Sequence, residues 1–100
     1  MIADPDNTIF VSAVSLWEVW LKSSIGKLRV PSGFARKLAA EQFGELPLRA
    51  EHTPAVAMLE WHHRDPFDRM LIAQARSENL VLLTADRALG AYGRLVRVAG

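Results

Sequence analysis

Two carboxylates three residues apart, Asp65 and Asp68, sit in the stretch HHRDPFDRMLIAQA (62–75), and acids at that spacing either close a helix end or hold a cation. Asp65 precedes Pro66. An aspartate at the N-cap accepts the free amide hydrogens of a first turn, and proline at N1 has no amide hydrogen to lose, so a helix begins at Pro66. Asp68 then falls at N3, on the same face as the cap and in the positive field of the helix dipole. Capping alone explains Asp65. A second acid at the mouth of the same helix is surplus to capping and points to a site, provided other parts of the chain bring acids to it. Glu18 and Asp86, each following an apolar run, are the candidates. Taken singly, Glu18 is explained by a capping box with Ser15, and Asp86 by the preference of aspartate for the turn after a strand. Gathered together, the three would raise one another's proton affinity unless a cation sat among them. An all-oxygen site of few carboxylates suits magnesium or manganese, which keep waters for a phosphate substrate. Such an ion can activate water and steady the charge on a phosphodiester.

The elements that must position these acids alternate between short apolar runs and amphipathic stretches. ADPDNT (3–8) is a turn-rich lead into Ile9–Val14, a β-branched and aromatic run suited to a buried strand. Ser15 opens a helix that stops near Gly26, with Trp17, Trp20 and Leu21 on its apolar side. Pro31-Ser32-Gly33 starts a second helix, Phe34 to Phe43, with Phe34, Ala35, Leu38 and Ala39 inward and Gly44 ending it. Glu45–Leu48 contains a proline and reads as an edge strand. A third helix covers about Glu51 to Trp61, with Val56 and Leu59 inward. In the helix from Pro66, residues Phe67, Met70, Leu71, Ala73, Gln74 and Ala75 recur at steps of three and four and form a buried face, closed by Asn79. Leu80–Thr84 is the clearest buried strand, followed by a short helical turn at Ala88–Tyr92 and a last strand at Leu95–Val98. This order predicts an α/β fold on a parallel sheet. Ligands of such sheets lie beyond the carboxyl ends of the strands. That rule places Glu18 and Asp86; Asp68 must be brought in by the His62–Asp65 connection.

Composition narrows the choices. One hundred residues, half of them hydrophobic, make one domain with one core. The absence of cysteine excludes disulfides, thiolate zinc sites and cysteine nucleophiles, so any metal is held by oxygen or imidazole. The acidic start and the lack of a long apolar run predict a soluble cytoplasmic protein with no membrane partner. A net charge of +1 gives no general attraction for nucleic acid, so any such binding would fall to local lysines and arginines. Arg64, Arg69 and Arg87 flank the acids and are the candidates, though solvated charge explains each equally well. Trp17, Trp20 and Trp61 fit core or interface better than base-stacking platforms. His62 and His63 read as the polar end of a helix, since adjacent histidines on a regular helix do not face one ion.

In combination, VSAVSLWEVWLK, HHRDPFDRMLIAQA and LVLLTADRALGAY make the chain similar to the PIN-domain ribonucleases, and among them to the VapC-like toxins of type II toxin–antitoxin systems. The resemblance covers nearly the whole chain as a single PIN-like domain, 1–100. It implies a three-layer α/β/α fold with a parallel sheet, and a magnesium- or manganese-dependent endoribonuclease that hydrolyses RNA through activated water. The partners it implies are a VapB-like antitoxin, RNA and a second copy in a homodimer. Glu18, Asp68 and Asp86 match three acids of the family's metal quartet. Thr84 matches the threonine of its Thr-x-Asp segment, and Asp65 is a nearby supporting acid. The family's first strand, which ends in the fourth acid and lies centrally between the Ile9 and Leu80 strands, has no counterpart in this reading. The expectation is therefore a truncated domain with a gap in its sheet and impaired activity. A catalytically inactive PIN-like module that binds an antitoxin or itself is the alternative, and a small α/β domain whose acids are all helix caps is a third.

Overall fold

The computed structural model describes residues 1–4, 6, 8–41 and 43–98. Five strands form one sheet: β1 (Ile2–Ala3), β2 (Ile9–Ser12), β3 (Gly44–Leu46), β4 (Val81–Thr84) and β5 (Val96–Val98), in the order β3-β2-β1-β4-β5. Strands β2 and β3 pair in parallel, as do β4 and β5, whereas β1 is antiparallel to both of its neighbours. The flanking helices are α1 (Ala13–Ser24), α2 (Phe34–Ala40), α3 (His52–Ala57) and α4 (Pro66–Ser77), with a 3-10 helix at Arg87–Tyr92. The fold is α/β, with helices flanking a central mixed sheet.

The expected gap is not there. The inner edges of β2 and β4 expose amide and carbonyl groups that must find partners. Ile2 pairs with Phe10 on one side and Leu82 on the other, Ala3 with Ile9 and Val81, and Leu83 N–H donates to the Met1 carbonyl at 2.6 Å. A central strand is thus present, against the expectation of a truncated sheet lacking one, and its direction makes the sheet mixed rather than parallel. The reversal is made by a turn in which the Asp4 carboxylate accepts from the amides of Asp6 and Thr8, at 3.0 and 2.8 Å. Ala3, expected in the turn, lies in the strand. Ile2 is fully buried, so even this two-residue strand contributes to the core.

Helix α4 is the spine of that core. Leu71, Ile72, Ala73, Gln74 and Ala75 are all buried, packed with Val14, Leu82, Leu89 and Tyr92. Gln74 is the polar exception: its Oε1 accepts from Ser12 Oγ, and its amide nitrogen donates to the Pro47 carbonyl at 3.3 Å. The Ser12–Gln74 bond also explains where α1 begins. Ser12, not Ser15, is the N-cap, with its hydroxyl accepting from Val14 N–H, so the helix starts three residues earlier than the capping-box reading and β2 is correspondingly short. Only Val14 of α1 is buried. Trp17, Trp20 and Leu21, expected inward, are 59, 46 and 39% exposed; Trp17 meets Phe67 and Trp20 meets Phe34 edge-on at ring-centre distances of 4.8 and 5.8 Å.

Helices α2 and α3 are shorter than their apolar patterns suggest. In α2 the chain leaves the helix at Glu41, and no residue of α2 is fully buried. Gly44, expected to end that helix, opens β3 opposite Phe10, where an added Cβ would lie 2.6 Å from the phenyl ring. Helix α3 ends in tightened turns, with Met58 N–H donating to the Ala55 carbonyl at 3.2 Å and Leu59 N–H to the Val56 carbonyl at 3.4 Å, and the Val56 carbonyl also accepts from Arg69 Nη2 at 3.1 Å. Leu59 still reaches the core. Among the described residues no helix is long and apolar enough to cross a membrane.

Candidate metal centre

Because β2 and β4 both pair antiparallel with β1, they run in the same direction, and their carboxyl ends share one edge of the sheet. Asp86 stands just past β4. Its Oδ1 accepts from Ala88 N–H at 2.9 Å and caps the 3-10 helix, while its own amide donates to Thr84 Oγ1 at 3.0 Å. Thr84 therefore fixes the backbone from which Asp86 projects, leaving Oδ2 free of the cap. Asp65 caps α4 as expected, accepting from Asp68 N–H at 3.0 Å. That bond holds Asp68 in the first turn with its carboxylate directed at His63, whose Nε2–H donates to Asp68 Oδ2 at 3.0 Å.

His63 is the residue that sequence reasoning passed over. Its Nε2 lies 4.0 Å from Asp86 Oδ2 as well, so the imidazole stands between two aspartates contributed by different elements. One donor atom from each of His63, Asp68 and Asp86 lies within 4.8 Å of the other two. The assumption that failed was a regular helix through His62 and His63. The connection is non-helical, and the two rings diverge: His62 stacks edge-on against Tyr92 at 5.0 Å, while His63 folds back over the start of α4. The usable signal was position, since both histidines precede the Asp65 cap and so lie outside the helix.

Glu18 comes to the same neighbourhood by a looser tie. Its Oε2 is paired with Lys22 Nζ at 2.6 Å, one helical turn on, and Glu18 is not among the donors that converge on His63. Its charge nonetheless reaches Asp68. Burial pushes the Asp68 carboxyl above its ordinary value, the charge of Asp65 adds to that, the His63 hydrogen bond opposes it, and Glu18 contributes a smaller upward push. The Lys22 ammonium is held protonated chiefly by Glu18, with Asp65 and Asp68 assisting. The cluster fits a divalent cation by chemistry: two carboxylates and one imidazole, His63 and Asp68 half-buried and Asp86 exposed, with donor atoms within 4.8 Å of one another.

The three arginines divide. Arg64 and Arg87 are exposed beside the cluster. Arg69, expected as an RNA contact, is 5% exposed and fully engaged inside the protein. Its guanidinium donates to the carbonyls of Glu60 and Val56 and to the Tyr92 hydroxyl at 3.0–3.1 Å, and lies 3.7 Å from the centre of the Trp61 ring. The buried face of α4 carries it inward. Trp61 itself is 76% exposed on its other side, so none of the tryptophans is a core residue.

A second group, Glu51, His52 and Glu78, also places donor atoms within 4.8 Å of one another. His52 is completely buried and both its nitrogens are occupied: Nδ1 accepts from Arg49 N–H at 3.0 Å, and Nε2–H donates to Glu78 Oε1 at 2.8 Å. This histidine ties the start of α3 to the end of α4. An ion there would have to displace the Glu78 bond.

A family model described as the PIN domain matches residues 1–95. No curated protein and no solved structure matches the chain.

Proposed function

The chain belongs to the PIN-domain family, and on that footing we propose that it is a metal-dependent endoribonuclease of the VapC-like toxin type. The observation that carries this reading is the meeting of His63, Asp68 and Asp86 donors within 4.8 Å at the carboxyl edge of the sheet. Asp68 and Asp86 would hold magnesium or manganese, and Glu18, paired with Lys22, would join them on leaving that partner. A bound divalent cation supplies the Lewis acidity that activates water and offsets charge on the scissile phosphodiester. Thr84 sets the Asp86 backbone through its hydrogen bond, and Asp65 sets that of Asp68. Arg64 and Arg87, exposed at the rim, meet RNA phosphates.

An inactive module that binds an antitoxin or a second copy is the competing reading. It is favoured by one observation: Trp17, Trp20, Met58 and Trp61 are 46–82% exposed on a small domain. A VapB-like partner or a homodimer would cover such surface in either reading. RNA cleavage by the purified protein with magnesium or manganese separates the two. Activity that requires the ion and disappears in both Asp68→Asn and Asp86→Asn, with unchanged circular dichroism, supports the nuclease. Failure of the folded protein to cleave RNA or bind either ion supports the module.

A further inference from the structure

We propose that His63 is a direct metal ligand, so that the centre is a one-imidazole, two-carboxylate site that prefers a first-row transition ion to magnesium. The inference rests on the metal-centre reading above and specifies which ion class the site takes. At bond lengths of 2.0–2.1 Å, adjacent ligand atoms of an octahedral ion stand about 3.0 Å apart and opposite ones about 4.2 Å. The Nε2 of His63 lies 3.0 Å from Asp68 Oδ2 and 4.0 Å from Asp86 Oδ2. The first distance matches an adjacent pair of ligand atoms and is closed by a hydrogen bond; the second is close to an opposite pair and leaves a gap between imidazole and carboxylate.

The surroundings favour ligation over a mere ion pair. His63 sits in a non-helical connection and its side chain is only about one-quarter exposed, so the ring can adjust by small backbone shifts without unwinding a helix. The bond to Asp68 uses the Nε2 hydrogen; in the other neutral tautomer the hydrogen is on Nδ1 and Nε2 presents a lone pair at the same place. Asp68 is held by its Asp65 cap and Asp86 by Thr84, so an ion entering between them meets two carboxylates already oriented. A nitrogen donor in place of one oxygen shifts preference from magnesium, which takes oxygen ligands, toward ions that accept imidazole.

The test is calorimetric titration of the full chain with Co²⁺ and with Mg²⁺ at one pH, for the unsubstituted protein and for His63→Asn and His63→Gln. Co²⁺ also gives a visible spectrum that reports nitrogen ligation. Thermal melts establish that each variant is folded. Direct ligation predicts that both variants lose Co²⁺ affinity by at least about tenfold, since even groups that only orient a ligand are worth about 10–100-fold. Mg²⁺ affinity should change little, and the Co²⁺ spectrum should shift. Equal changes for both ions with an unchanged spectrum would overturn the proposal, because a histidine that merely pairs with Asp68 competes with every cation alike. The underlying metal-centre reading fails separately: Asp68→Asn and Asp86→Asn would then leave binding of both ions unaltered.

Discussion

Replacing Arg69 by Met keeps most of the stem and removes the guanidinium, which isolates what the buried cation contributes. Three hydrogen bonds of 3.0–3.1 Å are lost, to Glu60 O, Tyr92 Oη and Val56 O, together with the 3.7 Å stacking on Trp61. Bonds from a charged donor contribute about 1.5–3 kcal/mol each, and an arginine over an aromatic face about 0.5–2 kcal/mol. Burying the cation has its own cost, which the variant escapes, and neighbouring bonds do not add. The expected net loss is about 3–5 kcal/mol, similar to breaking a buried charge pair. For a domain of this size that lowers the melting temperature by roughly 12–40 °C at about 4–8 °C per kcal/mol. Urea denaturation followed by far-ultraviolet circular dichroism measures it. Arg69→Lys, with a shorter reach and no fork, should fall between the two. A loss below about 1 kcal/mol for Arg69→Met would refute the reasoning, since exposed arginines behave that way.

Three further expectations concern the centre and the sheet. Lys22→Gln frees Glu18 from its 2.6 Å partner, so Mn²⁺ should bind about two- to fivefold more tightly, the scale of an exposed ion pair; unchanged or weaker binding contradicts a role for Glu18 at the ion. Asp68 has its folded-state pKa raised above 3.8 by burial and by Asp65, so its stabilising contribution is complete below 3.8 and is lost as pH rises through the raised value. Metal-free thermal melts should therefore show Asp68→Asn gaining on the unsubstituted protein over that interval, and a stability difference independent of pH would count against it. Gly44→Ala puts a methyl 2.6 Å from Phe10 and should cost about 1–3 kcal/mol by forcing the ring aside, read as a lower urea midpoint; a neutral result would mean that Phe10 has room to turn.

What could be read from the sequence was what depends on local rules. Pro66 after Asp65 marked the start of α4 correctly, and the apolar pattern named Leu71, Ala73, Gln74 and Ala75 of its buried face, while it left out Ile72 and Arg69, which are buried, and included Phe67 and Met70, which are only partly so. The parallel pairings of β2 with β3 and of β4 with β5 follow from the alternation of strands and helices. Features decided by distant partners were out of reach. The cap of α1 moved from Ser15 to Ser12 because Ser12 also serves Gln74, 62 positions away. Helix α3 ends at Ala57, where its last turn is bound by Arg69 from α4, 13 positions on. Asp65, Asp68 and Asp86 were singled out by position and Thr84 by the family resemblance, but the imidazole between the two acids depends on how a non-helical connection folds over α4, which no periodicity encodes.

The direction of β1 has a consequence for charge at the carboxyl edge. A strand running with β2 and β4 would deliver its last side chain to that edge; β1 runs against them, so Ala3 lies at the opposite end and no carboxylate of this strand enters the cluster. The remaining acids are each matched by a donor from the same chain: the ammonium of Lys22 on Glu18, the imidazole of His63 on Asp68, and backbone amides on Asp65 and Asp86. Converging carboxylates without such donors would repel, and the fold would need an ion to be stable. Here these donors offset that repulsion, and on the proposed function the same contacts would oppose an incoming cation, which would have to displace Lys22 to recruit Glu18 and take over Nε2 of His63. Affinity of the proposed centre would then be set as much by how readily these two side chains withdraw or re-aim as by the number of carboxylates.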